Sequence, residues 1–290
     1  MASPNAGMRE HWNEAVGPDW VREQERLDTQ LQPLGLLAVE ALGPLTDPTL
    51  LDVGCGCGGS TLVAAALAGE RGHVRAVDIS RPMLERARER VEALGLGHRV
   101  DLLLADAQDA DLGRARFDGA LSRFGVMFFD DPVAAFSNIR RALRPGAPMA
   151  FVCWRARELN PWFSETSAAA AAHVEVPASP PPGTPGPFGL ADEALILRVL
   201  ADAGFEAAAV HAVDTVMLTG ASLDDAVDSA LAIGPVARAL SASDAGRERE
   251  QAVANAVRDV LSAYARPDGV RVPVAVWVVT ARCRAVAADR

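Results

Sequence analysis

LLDVGCGCGGSTL, residues 50–62, joins a short apolar run to a glycine cluster and the start of a helix-compatible segment. The apolar run ends at Val53, glycines occupy positions 54, 56, 58 and 59, and residues 60–67 can continue as a helix. Glycine is typical of places where a backbone turns tightly or comes close to a ligand. A helix N-terminus also presents unpaired N–H groups. The stretch therefore predicts a strand, a tight turn and a helix, with a ligand above the turn.

Two acidic residues near this turn restrict the class of ligand. Asp78 ends the strand-like run 73–77, twenty positions beyond Gly58, where a carboxylate suits the two hydroxyls of a ribose. Asp52 precedes the first glycine by two residues. A pyrophosphate about 5 Å from it would be repelled by ~3 kcal/mol at an effective dielectric near 20, whereas an ammonium or a sulfonium would be attracted. Although Gly54 also begins a GxGxxG pattern, the acids favour S-adenosylmethionine over NAD.

Five segments in order resemble the successive motifs of class I S-adenosylmethionine-dependent methyltransferases, across roughly residues 45–155. They are LLDVGCGCGGSTL, VRAVDIS, LLLADAQD, FDGALSRFGVMFF and LRPGAPMAFVCWR. The closest likeness is to the small-molecule type related to the ubiquinone and menaquinone C-methyltransferases. The resemblance implies an α/β fold, a Rossmann-like seven-stranded sheet with helices on both faces. Its final strand would lie antiparallel between strands five and six.

The resemblance also implies which residues bind the methyl donor. The Asp106 carboxylate and the Ala107 amide would bind the amino group and the ring of the adenine. Asp106 also fits the role of an acidic residue in a loop or a helix cap. The full predicted set for S-adenosylmethionine, or its product S-adenosylhomocysteine, is Asp52, Gly54, Cys55, Gly56, Asp78, Ile79, Met83, Asp106, Ala107, Ser122, Arg123 and Met127.

Strand and helix patterns alternate along the chain and predict βαβ units with a mainly parallel sheet, with strand five over 148–154 and strand six over 207–213. We expect an N-terminal helical cap over 1–44 and a donor-binding core over 45–154. A lid insertion over 155–189 would follow, in which the density of proline and glycine predicts no regular structure. The C-terminal part over 190–290 would carry a helical insertion at 214–270. The cap helix carries an apolar stripe at helical spacing: Leu27, Leu31, Leu34, Ala38 and Leu42. It could pack on the sheet or roof the donor site.

Composition excludes several functions. The formal net charge of −10 argues against nucleic acid and anionic membranes as partners. All 28 basic residues are arginine, so a lysine Schiff base and a P-loop lysine are excluded. No apolar run approaches the ~18 residues of a membrane span. The N-terminus lacks a signal pattern, so we expect a cytoplasmic protein whose cysteines are free thiols. We expect it to be a monomer or a homodimer.

Methyl transfer needs chiefly alignment and exclusion of water. A general base is needed only for some acceptors, and His11 is the one histidine we consider. Large aromatic residues fall beside the cap and the lid insertion, which predicts a small, apolar or aromatic substrate. They could instead seal helices onto the sheet. The predicted pocket is Trp12, Trp20, Phe124, Phe128, Trp154 and Trp162.

Three other interpretations arise from particular residues of the chain. Cys55 and Cys57 could suggest a metal, but without a second close pair they fit small loop residues better, so we predict no metal site. A nicotinamide-dependent oxidoreductase with a Tyr-x-x-x-Lys motif is excluded because the chain has one tyrosine and no lysine. A protein that binds the donor without methylating remains an alternative. The quinone C-methyltransferases carry Arg-Asn after the Phe-Gly dipeptide, and here Val126 and Met127 follow it, so the acceptor cannot be read from the resemblance.

Overall fold

A single mixed sheet organises the chain. The computed structural model describes residues 5–178, 180–181, 183–243 and 246–285. The strands are β1 Thr49–Val53, β2 His73–Asp78, β3 Val100–Leu104, β4 Gly119–Arg123, β5 Pro148–Trp154, β6 Phe205–Gly220, β7 Ala265–Arg266 and β8 Gly269–Cys283. They follow the order β3-β2-β1-β4-β5-β8-β6, in which β1 to β5 are parallel and β8 runs antiparallel between β5 and β6. The predicted Rossmann-like methyltransferase sheet is confirmed, with the short β7 as an eighth strand.

Helices connect the parallel strands and cover the sheet. They are α1 Ala6–Glu10, α2 Gly17–Arg22, α3 Gln24–Ala41, α4 Gly59–Leu67, α5 Arg81–Ala93, α6 Pro132–Ala142, α7 Pro161–Ala170, α8 Glu193–Asp202, α9 Leu223–Ala232, α10 Pro235–Ala242 and α11 Arg247–Ser262. A π-helical turn, His11–Ala15, joins α1 to α2. Two short 3-10 turns, Val126–Phe128 and Arg157–Leu159, follow β4 and β5.

Buried apolar surface explains the positions of α3 and β5. The predicted stripe on α3 is buried throughout, from Leu27 at 6 % exposed to Ala38 at 0 %. All seven residues of β5 are buried because helices cover both faces of the sheet and strands flank both edges of β5. Each fully buried leucine or valine contributes about 1.5–3 kcal/mol relative to exposure. The core thus holds the carboxyl ends of β1, β4 and β5 in fixed positions.

Three expectations about local structure are corrected. Strand β6 was expected over 207–213 but extends over Phe205–Gly220, because it pairs with β8 along its whole length. The helices that follow begin only at Leu223, not at 214. The proline- and glycine-rich insertion was expected to lack regular structure, yet its first part forms α7, which buries Trp162 and Thr166.

Some predicted segments reach beyond the described part of the chain. These are residues 1–4 of the cap, 179 and 182 of the lid insertion, 244–245 of the helical insertion and 286–290 at the end. The segment boundaries themselves stay predictions. Among the residues described, no helix is long and apolar enough to cross a membrane.

Candidate active site

A cavity of about 550 Å³ lies above the carboxyl edge of the sheet. One side is formed by the turns after β1, β2 and β3, which we call the donor side. The other side, which we call the acceptor side, is formed by the N-terminal turns, α7, α10 and residues 176–178, 180, 184 and 186–189 of the lid insertion. This is where open α/β sheets bind ligands, at the point where the strand order reverses between β1 and β4.

Backbone geometry explains the first glycine of the turn after β1. Gly54 has φ +69°, and a Cβ atom added there would lie 2.6 Å from the Cα of Gly125. A side chain would therefore clash with the loop after β4, besides requiring a left-handed backbone. Gly56 and Gly58 also have positive φ, at +54° and +84°. The turn consequently exposes its backbone to the cavity and leads directly into α4.

Asp78 closes the donor side at the end of β2. Its Oδ2 accepts from the Gly56 N–H and its Oδ1 from the Ser80 N–H, both at 2.7 Å. Burial raises the pKa of Asp78 to about 6, although these two backbone hydrogen bonds act in the opposite direction. The carboxylate therefore retains unused acceptor capacity at the cavity wall, which suits a pair of ligand hydroxyls.

Asp52 and Ser122 were predicted to touch the donor, and the structure places neither on the cavity wall. Asp52 is fully buried behind the turn, where its Oδ2 accepts from Ser60 Oγ at 2.8 Å and Thr61 Oγ1 at 2.7 Å. Ser122 Oγ donates to the Val53 carbonyl at 2.7 Å. Both side chains support the turn and the start of α4 from behind, and their predicted role in donor binding stays a prediction.

The second carboxylate oxygen of Asp52 is in a different situation from the first. Its Oδ1 is buried and accepts no hydrogen bond from the described residues. Burial raises the pKa of Asp52, whereas the hydroxyls of Thr61 and Ser60 and the charge of Arg123 lower it. When ionised, a buried carboxylate of this kind is poorly screened, so its charge acts on the cavity even though its atoms do not reach it.

The N-terminal segment of the chain contacts Asp106 at the cavity wall. The Asn5 side-chain amide donates to both carboxylate oxygens of Asp106, at 3.0 and 2.8 Å. The Gln108 N–H donates to Oδ1 at 2.9 Å. Asp106 and Ala107 still line the cavity, as the resemblance implies for adenine recognition. Asn5 is a wall residue that no local sequence signal indicates.

A partly buried ion cluster fixes α3 against the glycine turn. Arg90 donates to Asp28 Oδ2 at 2.6 Å, and Arg123 lies 3.7 Å from Asp28 Oδ1. Burial lowers the pKa of Arg123, and Asp28 opposes that shift. Gly35 makes room for the arginine, since a Cβ added there would lie 2.8 Å from Arg123 Cδ.

Aromatic rings line the acceptor side as a connected series. Phe124 stacks on Trp154 at 4.3 Å, Trp154 meets Phe163 at 5.3 Å, and Phe163 meets Phe188 at 5.1 Å. Offset and edge-to-face pairs of this kind are favourable packing arrangements. Four of the five tryptophans line the cavity, and so do all six predicted pocket residues: Trp12, Trp20, Phe124, Phe128, Trp154 and Trp162.

His11 lies on the same wall beside Trp12, at 5.5 Å between ring centroids. Burial lowers the pKa of His11, and the positive charge of Arg238 lowers it further. The imidazole is therefore neutral near pH 7 and can accept a proton. Arg238 and Arg157 also line the cavity, and neither was predicted as a site residue.

The cysteines are buried free thiols. Burial is the main cause that raises the pKa of Cys55 and Cys57, the latter to about 12. They are therefore unreactive loop residues near pH 7. Within the described ranges, no group of three or more His, Cys, Asp or Glu residues could hold a metal ion.

Of the twelve predicted donor-site residues, all except Asp52 and Ser122 lie on the cavity wall. Their predicted contacts with a donor stay predictions. Several wall residues that sequence analysis missed lie far apart in the chain. They include Asn5, Arg157, Phe163, Phe188 and Arg238.

Comparison with known proteins identifies the core. Residues 50–146 match the family model described as a methyltransferase domain. The aklanonic acid methyltransferase of Streptomyces sp. (strain C5) is 32 % identical over 119 residues, which cover 41 % of this chain and 54 % of the relative. The demethylmenaquinone methyltransferase of Symbiobacterium thermophilum is 36 % identical over 107 residues, covering 37 % and 42 %. The chain thus spans about half the length of the curated relatives it matches.

A solved structure extends the likeness of the fold beyond this region. The crystal structure of a putative methyltransferase from Bacillus halodurans C-125 superposes with a TM-score of 0.57. The superposition covers 87 % of this chain and 99 % of the other chain, and the sequence identity is 18 %. At that identity, the likeness is evidence for the fold alone. Together with the glycine turn and Asp78, the family match leads to one assignment: residues 50–146 of this chain form a methyltransferase domain of the S-adenosylmethionine-dependent class.

Proposed function

We propose that the protein transfers a methyl group from S-adenosylmethionine to a small apolar or aromatic molecule, by O-, N- or C-methylation. The observation that carries the proposal is that one cavity joins the glycine turn and Asp78 to the aromatic wall. A donor bound on one side would therefore meet an acceptor bound on the other without crossing protein.

The donor side fits S-adenosylmethionine in its chemistry. Asp78 keeps acceptor capacity for ribose hydroxyls, and Ile79, Met83 and Met127 offer apolar surface for an adenine ring. The unpartnered Oδ1 of Asp52 adds negative charge behind the turn, which favours a ligand bearing an ammonium and a sulfonium. A pyrophosphate would be disfavoured by the same charge.

The bound donor supplies an electrophilic methyl group on its sulfonium. The chain supplies position and a dry environment, which is most of what such a transfer needs. Phe124 and Trp154 hold the acceptor side rigid by stacking next to the turn after β4. For acceptors that must lose a proton, neutral His11 is the candidate base.

The proline-rich part of the lid insertion closes the acceptor side. Phe188 and Gly189 line the cavity, and the Gly186 N–H donates to the Met127 carbonyl at 3.1 Å. Met127 is itself a predicted donor-site residue, so this bond joins the lid to the donor side. We infer that the segment excludes water when both ligands are bound.

The experiment is paired. Calorimetry with S-adenosylhomocysteine and with NAD measures donor preference, and mass spectrometry after incubation with S-adenosylmethionine and a panel of apolar aromatic acceptors measures methyl transfer. We expect binding of S-adenosylhomocysteine, no binding of NAD, and mass increases of one methylene unit. Asp78→Ala should lower both donor affinity and turnover, whereas Asp268→Ala, at an exposed hairpin outside the cavity, should change neither.

Preference for NAD would contradict the proposal. Donor binding without transfer to any acceptor of the panel would favour the alternative, a donor-binding protein that does not methylate.

A further inference from the structure

The charges that line the cavity are distributed unevenly. Each of its four carboxylates has a partner of its own. Asp19 pairs with Arg22, Asp28 with Arg90, Asp78 with backbone N–H groups, and Asp106 with Asn5. Two of these carboxylates are therefore paired with an arginine, and the other two accept hydrogen bonds from neutral donors.

The positive groups are not all compensated. Among the described residues, Arg123 is the one cavity-lining arginine that approaches a carboxylate, Asp28 at 3.7 Å. Arg157 donates only to a neutral acceptor, the Phe163 carbonyl, at 3.2 Å. No hydrogen bond or ion pair within the described ranges engages the guanidinium of Arg238. Two arginines that pair with no carboxylate among the described residues therefore border one wall of the cavity.

Both arginines lie on the acceptor side, around the start of α7. Arg157 is half-buried in the 3-10 turn between β5 and α7. Arg238 lies on α10, at the exposed edge of the cavity, and it faces His11 closely enough to lower the pKa of that side chain. Phe163 and Trp162 of α7 lie on the same wall. An apolar, aromatic surface is thus bordered by two guanidinium groups.

A guanidinium group binds carboxylates and other oxyanions through paired N–H donors, and it does so best where water is partly excluded. We propose that the acceptor carries an anionic group, a carboxylate or another oxyanion, which Arg157 and Arg238 bind while its apolar body packs on the aromatic wall. This inference rests on the proposed function and specifies its substrate class. The anionic group would lie at the cavity edge and direct the rest of the acceptor toward the donor side.

Two fluorescent probes with the same ring system test the inference on the full chain. 8-Anilinonaphthalene-1-sulfonate is anionic, and N-phenyl-1-naphthylamine is its neutral counterpart. Energy transfer from tryptophan reports binding in the cavity, because four of the five tryptophans line it. Each probe is titrated with and without saturating S-adenosylhomocysteine.

We expect the wild type to bind the anionic probe more tightly than the neutral one. Arg238→Gln and Arg157→Gln should each weaken the anionic probe by about fivefold to tenfold, the latter being ~1.4 kcal/mol, and leave the neutral probe unchanged. The matched control is Arg249→Gln, on the exposed surface of α11 outside the cavity. It should change neither affinity.

Equal losses for both probes would show that the arginines only shape the cavity, and unchanged affinity for the anionic probe would overturn the inference outright. Failure of the wild type to bind either probe would also overturn it. These outcomes are separate from failure of the proposed function. In that case S-adenosylhomocysteine would not bind, whereas the difference between probes would still be measurable without it.

Discussion

The Asn5 side-chain amide donates to both carboxylate oxygens of Asp106, at 3.0 and 2.8 Å, across 101 positions of the chain. Asn5 also exchanges two backbone–side-chain hydrogen bonds with Asp130, at 2.7 and 2.6 Å. Asn5, which directly precedes α1, is therefore hydrogen-bonded to the residues after β3 and to the loop after β4. This contact holds the N-terminal turns, with His11 and Trp12, over the cavity.

The first prediction concerns this contact. Asn5→Ala should lower the free energy of unfolding by about 1.5–3 kcal/mol, since it removes hydrogen bonds to a buried carboxylate. Asn5→Asp should lower it further at pH 7, because two carboxylates would face each other and each would raise the other's pKa. That extra loss is present above the raised pKa and disappears as the pH falls through it.

Chemical denaturation at pH 7 and pH 5 measures both effects. Asn255→Ala on the exposed face of α11 is the control and should be nearly neutral. If Asn5→Asp were as stable as the wild type at pH 7, the contact would not form in solution.

The second prediction is a pH dependence of donor affinity set by Asp78. Burial raises the pKa of Asp78 to about 6 from 3.8, so this group binds more protons folded than unfolded between those values. Its contribution to stability therefore falls as the pH rises from about 4 to about 6. Ribose hydroxyls donate to the ionised carboxylate, so donor binding should weaken about tenfold from pH 7 to pH 5.

Calorimetry with S-adenosylhomocysteine at both pH values measures the effect, in buffers of different ionisation enthalpy to detect the released proton. Asp78→Asn should bind more weakly at pH 7 and show a flat profile. A wild-type affinity independent of pH would mean that Asp78 does not contact the ligand in its ionised form.

The third prediction concerns the charge of Asp52. Asp52→Asn keeps the shape of the side chain and removes a buried charge that acts on the ligand from behind the turn. At separations of about 5–10 Å and an effective dielectric near 20, the loss should be roughly 2–3 kcal/mol for S-adenosylmethionine. Adenosine, which lacks both cations, should be almost unaffected. Calorimetry with the two ligands compares them directly, and equal losses would mean that Asp52 acts only by holding Ser60 and Thr61.

The fourth prediction separates the lid from donor binding. Phe188→Ala removes the last ring of the aromatic series, which packs against Phe163. We expect donor affinity to stay within about twofold and turnover of an apolar acceptor to fall about tenfold, because the acceptor side loses apolar contact and admits water. Leu159→Ala is the control, since Leu159 is 46 % exposed and outside the cavity. A parallel loss of donor affinity in Phe188→Ala would show that the lid supports the donor side instead.

Local sequence was sufficient to predict the strand and the turn that support the site. β5 was predicted at its observed bounds, Pro148–Trp154, because an unbroken apolar run between turn signals leaves few alternatives. The glycine turn and Asp78 were found because a strand end and the loop after it are adjacent in sequence. Their positions on one edge of the sheet follow from parallel strand pairing alone.

Local sequence could not predict the length of β6 or the position of the Asp52 side chain. The strand reaches Gly220 because β8, which lies about sixty residues away in sequence, offers a partner for its backbone. Asp52 turns away from the cavity because Ser60 and Thr61 of α4 satisfy its Oδ2 behind the turn. Both outcomes depend on hydrogen bonds between segments, which a local pattern does not encode.

The sequence by itself therefore determined the fold, the donor class and the residues of the glycine turn, since these depend on neighbours along the chain. Tertiary structure alone decided which further residues join the predicted aromatic residues on the acceptor side. Asn5, Arg157, Phe188 and Arg238 come from four segments with no shared motif, and they meet because the sheet, α7 and α10 place them around one cavity. Packing of buried apolar faces sets those positions, so the charge and shape that select the acceptor appear only when the chain is folded.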